Sequence, residues 1–288
     1  MLVLKELKRM PYNRFAYLPL ITYPEPVSDD AIEAAVEVAA ALGCEVHATT
    51  FSADIPSVST PIGGLLINIP EMIRTAEENS HNHCGRLQKL VVNRAGSRVK
   101  THCSTRKVHA GSEGDAAAVE ARYFDLTLLP LGKSSVTTRD HAQSVIFGAG
   151  RPAILIPPSA KSEPLKRVAV AWDGSRVAAR ALADVMPFLG DDTQLTIVTV
   201  QGEKALAGQD IAEALAASLE LRGYSARAQN VTLGGRKIAE ALQEAALESG
   251  SGLLVMGGFG HSRLRDFILG GATQGVFVDP RLPILLSH

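Results

Sequence analysis

The sequence predicts two consecutive α/β domains, each with a parallel sheet covered by helices on both faces. Three observations support this fold class. Apolar, β-rich runs alternate with helical patterns of about 10–15 residues. The second half of the chain repeats the order of the first, and a polar segment with proline at both ends, residues 157–164, separates the halves. Strands that alternate with helices form βαβ units, and these units place helices on both sides of a parallel sheet.

The first half contains four apolar runs of strand type and four helical patterns. The predicted strands are Phe15–Leu20, Glu45–Phe51, Val99–Thr105 and Leu126–Pro130, and the segment Arg151–Leu155 matches the closing strand of the second half. The predicted helices are Asp29–Leu42, about Pro70–Asn93, Glu113–Arg122 and one near Gln143. This half is expected to form a domain over residues 1–158.

The second half has the clearer pattern. The predicted strands are Arg167–Trp172, Gln194–Val200, Ala226–Thr232, Gly252–Met256 and Leu282–Leu286. The predicted helices run from Ser175 to about Leu189, over about Asp210–Leu221, over Arg236–Leu247 and within Leu264–Val278. This half is expected to form a domain over residues 165–288. The edge of its last strand could join another chain, so a homodimer remains open, although the two domains can also pair with each other.

The composition narrows the functional class. The chain has 288 residues, 46% hydrophobic and 20% charged, with a net charge of −1. Such a chain is too apolar for intrinsic disorder, and it lacks the positive charge that holds a nucleic-acid backbone. The apolar stretches fall far short of the ~20 residues that span a bilayer, so no membrane partner is expected. No signal-peptide pattern is present, and three cysteines favour reduced thiols, so we expect a cytoplasmic protein.

A glycine-rich loop after the fourth strand of the second half is the most informative segment. It begins at Met256, contains Gly257 and Gly260, and leads into a glycine pair, Gly270 and Gly271, before a helix. Glycines let backbone N–H groups approach an anion, and a helix start directs its positive dipole end to the same place. Ligands of open α/β sheets bind beyond the carboxyl ends of the strands. The alternative is that these glycines only make tight turns.

At these residues the chain resembles the universal stress protein family. The phosphate motif of that family is Gly-x2-Gly-x9-Gly followed by Ser or Thr, and Gly257, Gly260 and Gly270 match its spacing. The resemblance implies tandem Rossmann-like domains, similar to adenine nucleotide alpha hydrolases, each a five-stranded parallel sheet of order 3-2-1-4-5. It further implies binding of ATP or another adenine nucleotide, with Mg²⁺ as a companion ion.

The resemblance also assigns roles to residues. Asp173 would lie against the adenosine, Val200 would contact the base, and Met256 would flank the ribose or base. The phosphates would be surrounded by Gly257, Gly260, His261, Gly270, Gly271, Ala272 and Thr273. One departure is Gly271, which stands where the family has Ser or Thr. The loss of one neutral hydrogen bond costs about 0.5–1.5 kcal/mol, so weakened affinity is expected rather than its abolition.

The first half lacks these features. It has Leu18-Pro19-Leu20 where its first strand would deliver an aspartate, and Leu131–Ser135 after its fourth strand is a shorter loop without a glycine pair. We therefore expect a first domain that is structural or binds something else. Gly132-Lys133-Ser134 resembles the end of a P-loop, but Thr127 stands where the leading glycine is required.

Other patterns do not favour catalysis or a metal site. His81 and Cys84 share a helix face, but His83 points away from it, and His102-Cys103 is distant in sequence, so no metal site is predicted. Asp173 and Ser175 could be catalytic, but an aspartate that leads into a helix is also a good N-cap. No serine-hydrolase elbow, metalloprotease motif or carboxylate pair occurs.

Three functional hypotheses follow. The leading one is a nucleotide-responsive stress protein with one site, in the second domain, and at most slow, incidental ATP hydrolysis, because no general base stands out. A second is a degenerate pair of domains that binds no nucleotide and acts through protein contacts or another ligand in the first domain. The enzyme alternative is an ATP pyrophosphatase, which needs a Ser-Gly-Gly-x-Asp-Ser type of loop that Trp172–Ser175 does not supply.

Overall fold

Ten strands form one continuous sheet with helices on both faces. The computed structural model describes residues 13–56, 68–132, 136–158, 160, 165–202, 208, 210–258 and 271–288. The strands are β1 (Arg14–Ile21), β2 (Cys44–Asp54), β3 (Thr101–His109), β4 (Leu126–Pro130), β5 (Ala153–Ile156), β6 (Arg167–Ala171), β7 (Gln194–Gln201), β8 (Ser225–Thr232), β9 (Leu253–Gly257) and β10 (Ile284–Ser287).

The helices alternate with these strands along the chain. They are α1 (Asp29–Leu42), α2 (Ile69–Ala95), α3 (Glu113–Ala121), α4 (Val136–Ala149), α5 (Arg176–Val185), α6 (Ile211–Leu221), α7 (Ile238–Glu248) and α8 (Gly271–Val278). A 3₁₀ turn at Met186–Phe188 follows α5. No helix among the described residues combines the length and apolarity needed to cross a membrane.

The sheet order is β3-β2-β1-β4-β5-β10-β9-β6-β7-β8. Each half therefore has the order 3-2-1-4-5 with parallel neighbours, which confirms the predicted fold class. The halves join where β5 and β10 pair antiparallel, with Ile154 opposite Leu285. The expectation that the last strand could join another chain is wrong for this edge, because β10 is already paired with both β9 and β5.

Two apolar layers hold the helices against the sheet. One layer buries residues of α1, α2, α5 and α6, and the other buries residues of α3, α4, α7 and α8. Successive strand residues alternate between them: Val168 and Val170 belong to the first layer and Ala169 to the second. Because both faces are covered, the central strands are continuous apolar runs, as expected for parallel sheets.

Some element ends differ from the sequence prediction for local reasons. The helix after Ser175 ends at Val185 rather than near Leu189, because Pro187 has no N–H to continue the α-helical ladder. The third strand runs to His109 rather than Thr105, as an edge strand whose residues are mostly exposed. Of the helix expected within 264–278, the part before Gly271 lies outside the described residues.

Candidate functional site at the carboxyl ends of β6, β7 and β9

Three parallel strands of the second half end together at one edge of the sheet. Ala171 of β6 lies opposite Val198 of β7, and Val170 lies opposite Val255 of β9. Continuing this register brings Asp173, Val200 and the end of β9 to the same level. The first strand of this half lies at the switch point of the strand order, where ligands of open α/β sheets bind.

Asp173 is fixed at this edge by its own turn. The Ser175 N–H donates to Asp173 Oδ1 over 2.9 Å, and Gly174 between them has a φ of 75°, a left-handed conformation that favours glycine. Ser175 rather than Asp173 caps α5, because the Ala178 N–H donates to Ser175 Oγ over 3.3 Å. The expectation that Asp173 could be the N-cap is therefore wrong; the aspartate orders the turn that precedes the cap.

The backbone immediately before Asp173 is held by β7. The Trp172 N–H donates to the Val198 carbonyl over 2.8 Å, and the Thr199 hydroxyl donates to the Trp172 carbonyl over 2.8 Å. The Trp172 side chain is partly buried and packs on the apolar layer that includes α5. The only tryptophan of the chain thus lies next to the predicted site.

Apolar residues close the inner side of the site. Val200 and Met256 are 8% and 4% exposed, and both belong to the layer under α7 and α8, together with the partly buried Ala272. Thr273 is also buried. These side chains are packed in the apolar layer at the carboxyl ends of the strands. Gly271, where α8 begins, is exposed.

Gly257 has a packing role that the sequence did not indicate. A Cβ on this residue would lie 2.6 Å from the carbonyl carbon of Val177 and 2.8 Å from the Ala178 nitrogen. The end of β9 therefore touches the backbone of the first turn of α5, an approach that only glycine permits. Its assigned place at the phosphates stays a prediction, and the motif residues Gly260, His261 and Gly270 lie outside the described residues.

The start of α8 is more open. Among the described residues, the nearest atom to a Cβ on Gly271 would be Ile238 Cγ2 at 4.0 Å, so these residues leave room for a hydroxyl-bearing side chain. A groove of about 520 Å³ between α7 and α8 begins at Gly271, and Arg236 and Lys237 are among its lining residues. Neither cation was predicted as a site residue, because both fall in a helix-start pattern with no motif.

Comparison with known protein families gives a match for the second half of the chain. Residues 164–287 match the sequence model of the universal stress protein family. The match covers the second half of the chain, which is therefore similar to that family. A search of curated proteins gave no match.

Solved structures extend the likeness to both halves. A universal stress protein from Archaeoglobus fulgidus is similar over 94% of this chain and 97% of its own, with a TM-score of 0.65 and 15% identity. This likeness shows the fold of the whole chain, in line with a tandem arrangement. A universal stress family protein from Burkholderia pseudomallei is 23% identical over 42% of this chain and 95% of its own (TM-score 0.31). A universal stress protein in complex with cAMP is 23% identical over 43% and 97% (TM-score 0.32).

The first half can be matched to the universal stress protein domain by strand register, because β1 pairs with β4 as β6 pairs with β9. On this basis Ile21, Phe51 and Pro130 occupy the positions of Asp173, Val200 and Gly257. Ile21 and Phe51 are 2% and 1% exposed, and Pro130 is buried. Apolar side chains therefore fill the edge at which the second half presents a carboxylate and a glycine. Lys133 and Ser134, from the P-loop-like segment, lie outside the described residues.

A buried histidine of α4 lies beside this filled edge. The His141 ring is 6.3 Å from the Phe51 ring, centroid to centroid, and burial lowers the pKa of His141 to about 4. Neither ring nitrogen has a hydrogen-bond partner within the part of the chain that the structure describes. No sequence pattern marks this residue, since a histidine in a mixed helical pattern is equally compatible with an exposed position.

The histidine and cysteine residues of α2 are separated by burial. Cys84 is buried under the helix and burial raises its pKa, whereas His81 is exposed. Among the described residues no three His, Cys, Asp or Glu side chains are grouped so that they could hold a metal ion.

Proposed function

We propose that the universal stress protein domain of residues 165–288 binds an adenine nucleotide, ATP or a relative, and that the chain acts as a nucleotide-responsive binding module. The observation that carries this proposal is the meeting of three parallel strand ends at the switch point, with Asp173 held there by its turn. We also propose the division at the 157–164 segment, with residues 1–158 forming a first domain that does not bind the nucleotide.

The assigned contacts follow from the chemistry of this edge. The Asp173 carboxylate accepts hydrogen bonds from the hydroxyls or amino group of the adenosine, and the backbone beyond Val200 meets the base. The N–H groups of the first turn of α8, at Gly271, Ala272 and Thr273, point towards the phosphates with the positive end of the helix dipole. Mg²⁺ would be bound chiefly through phosphate oxygens and water.

A binding module fits this edge better than a hydrolase. A general base must lie within hydrogen-bond reach of an attacking water. Asp173 is the single carboxylate among the proposed site residues, and it already accepts the Ser175 N–H. We therefore propose no catalytic residue and expect any ATP hydrolysis to be slow and incidental. The three cysteines are free, which favours the proposed cytoplasmic location.

Titration with ATP and Mg²⁺ tests the proposal. Trp172 fluorescence and the melting temperature should both respond, since a ligand that binds the folded state stabilises it. Asp173→Asn keeps an oxygen for the Ser175 N–H but removes the charge, and it should weaken binding about tenfold, in line with the loss of one charge-assisted hydrogen bond. Asp191→Asn, an exposed loop change in the same domain, is the matched control. If neither the fluorescence nor the melting temperature responds at millimolar ATP, the protein-contact alternative is favoured.

A further inference from the structure

A second pocket lies at the opposite edge of the second domain, at the amino ends of β6, β7 and β8. Its volume is about 470 Å³, and it is lined by Arg167, Gln194, Leu195, Thr196, Ser225, Ala226, Arg227 and Ser249. None of these residues belongs to the nucleotide site proposed above. The pocket has two arginines, an amide and three hydroxyls, but no carboxylate.

The strand register explains why these side chains share one face. Leu195 and Ile197 of β7 point into the layer under α5 and α6, so Gln194 and Thr196 point to the opposite face. Arg167 pairs with Gln194, and Thr196 pairs with Arg227. The arginines therefore stand on either side of β7, about 10 Å apart across the sheet and offset by two residues, or about 7 Å, along the strands. Their side chains are long enough to reach one ligand placed over β7.

Neither arginine has a carboxylate partner among the described residues, and Arg227 is oriented by a hydrogen bond. Arg227 Nε–H donates to Thr196 Oγ1 over 3.2 Å, which orients the rest of the guanidinium fork. Arg167 lies over Gly250, where a Cβ would come within 2.7 Å of Arg167 Nη1. Within the described residues neither arginine forms an ion pair, whereas Arg180 pairs with Asp184.

We propose that this pocket binds the phosphate group of a small anionic molecule. A guanidinium fork matches two oxygens of a phosphate, and two such forks compensate a dianion. The Ser225 hydroxyl and the Gln194 amide supply further donors to its remaining oxygens, whereas the Ser249 hydroxyl already donates to the Ala246 carbonyl. A bound anion would also relieve the repulsion between the two unpaired cations. The volume exceeds that of a phosphate alone and fits a small phosphorylated compound.

Arginine side-chain NMR tests this site separately from the nucleotide site. The Nε–Hε signals of Arg167 and Arg227, assigned from the variants Arg167→Gln and Arg227→Gln, are followed while inorganic phosphate, pyrophosphate or a sugar phosphate is added. Both signals should move with one common dissociation constant. Tighter binding of the sugar phosphate identifies an ester as the ligand class, and equal binding of inorganic phosphate identifies the free ion.

Calorimetry of the variants gives the energetic test. Either substitution should weaken phosphate-ligand binding at this site about tenfold, as for one lost charged hydrogen-bonding group. Arg222→Gln is the matched control, because it removes the same charge from a guanidinium that lies over the Tyr224 ring, outside the pocket. The proposal is overturned if the two signals do not move with any of the three anions, or if Arg222→Gln weakens binding equally. Melting curves of each variant verify that it is folded.

Discussion

The two halves of the chain share one topology but differ at the carboxyl ends of their strands. In the second half the edge presents Asp173, and β9 ends at Gly257; in the first half Ile21 and Pro130 occupy those positions. The link from the fourth strand to the next helix is short in the first half, residues 131–135, and long in the second, residues 258–270. The buried layers are alike in both halves, so the shared topology follows from the apolar alternation, although the residues of this edge differ.

This difference teaches which residues a ligand site requires beyond the fold. Ile21 and Phe51 keep their strands in register, yet a buried apolar side chain stands where the second half has the Asp173 carboxylate. We therefore propose that the first half is a structural partner. Buried apolar residues occupy the carboxyl ends of its strands. Three perturbations test that contrast, beginning with the one of largest expected effect.

Gly257→Ala should destabilise the second half by about 3 kcal/mol, because the added methyl would overlap the backbone of α5. Urea denaturation measures this as a lower midpoint. Gly258→Ala is the control, since its Cβ would have its nearest atom, Ser287 O, at 3.4 Å and should change the midpoint little. Equal midpoints for the two variants would mean that β9 and α5 are not in this close contact.

Acid should weaken the first half through His141. The pKa of about 4 in the folded protein lies below the ordinary 6.5, so the unfolded chain binds the proton more readily. The stability contribution of neutral His141 is complete above pH 6.5 and is lost as the pH falls towards 4, by about 3 kcal/mol in all.

Denaturation midpoints between pH 7 and pH 4 check this expectation. His141→Phe should flatten the pH dependence, whereas His81→Gln, at an exposed position of α2, should leave the slope as it is. A steep acid dependence that persists in His141→Phe would assign the proton uptake to another group.

Gly271→Ser should have the smallest effect of the three. Whereas the other changes weaken the fold, this one should strengthen the binding of ATP. The described residues leave room for the hydroxyl, because the nearest of their atoms to the added Cβ is 4.0 Å away, and the hydroxyl supplies the donor that the family motif has after its third glycine. One extra hydrogen bond predicts ATP binding tighter by about threefold to tenfold. Calorimetry with ATP and Mg²⁺ measures the change, and Gly271→Ala controls for the lost glycine; identical affinities in both variants would contradict a phosphate at this helix start.

Most of the fold could be predicted from local sequence patterns. The bounds of α1 and β4 agree with prediction because a polar start, a periodic apolar face and a following glycine or turn mark them. The pairing of β5 with β10 was not predicted as such, since it joins segments far apart in sequence. Local patterns indicate strands but not which strand edges meet.

The position of the site stays a prediction, whereas the local geometry around it could not be predicted from the sequence. Asp173 and the glycine-rich segment could be found because polar or glycine residues interrupt apolar strands there. The cap at Ser175 and the contact of Gly257 with Val177 could not, because they depend on how β9 packs against α5. The arginine pocket could not be predicted, because Arg167 and Arg227 are far apart in sequence and only the register of three strands brings them together.

The antiparallel seam between β5 and β10 places equivalent residues of the two halves, Ile154 and Leu285, opposite each other. It thus relates the halves by an approximate twofold axis, as in a symmetric dimer, but within one polypeptide. A true dimer would carry two identical sites that could influence each other. With the site confined to the second half, as proposed, its occupancy should follow a simple hyperbola with one nucleotide per chain. Under this proposal the second half would respond to the nucleotide, and the first half would hold the other side of the seam in place.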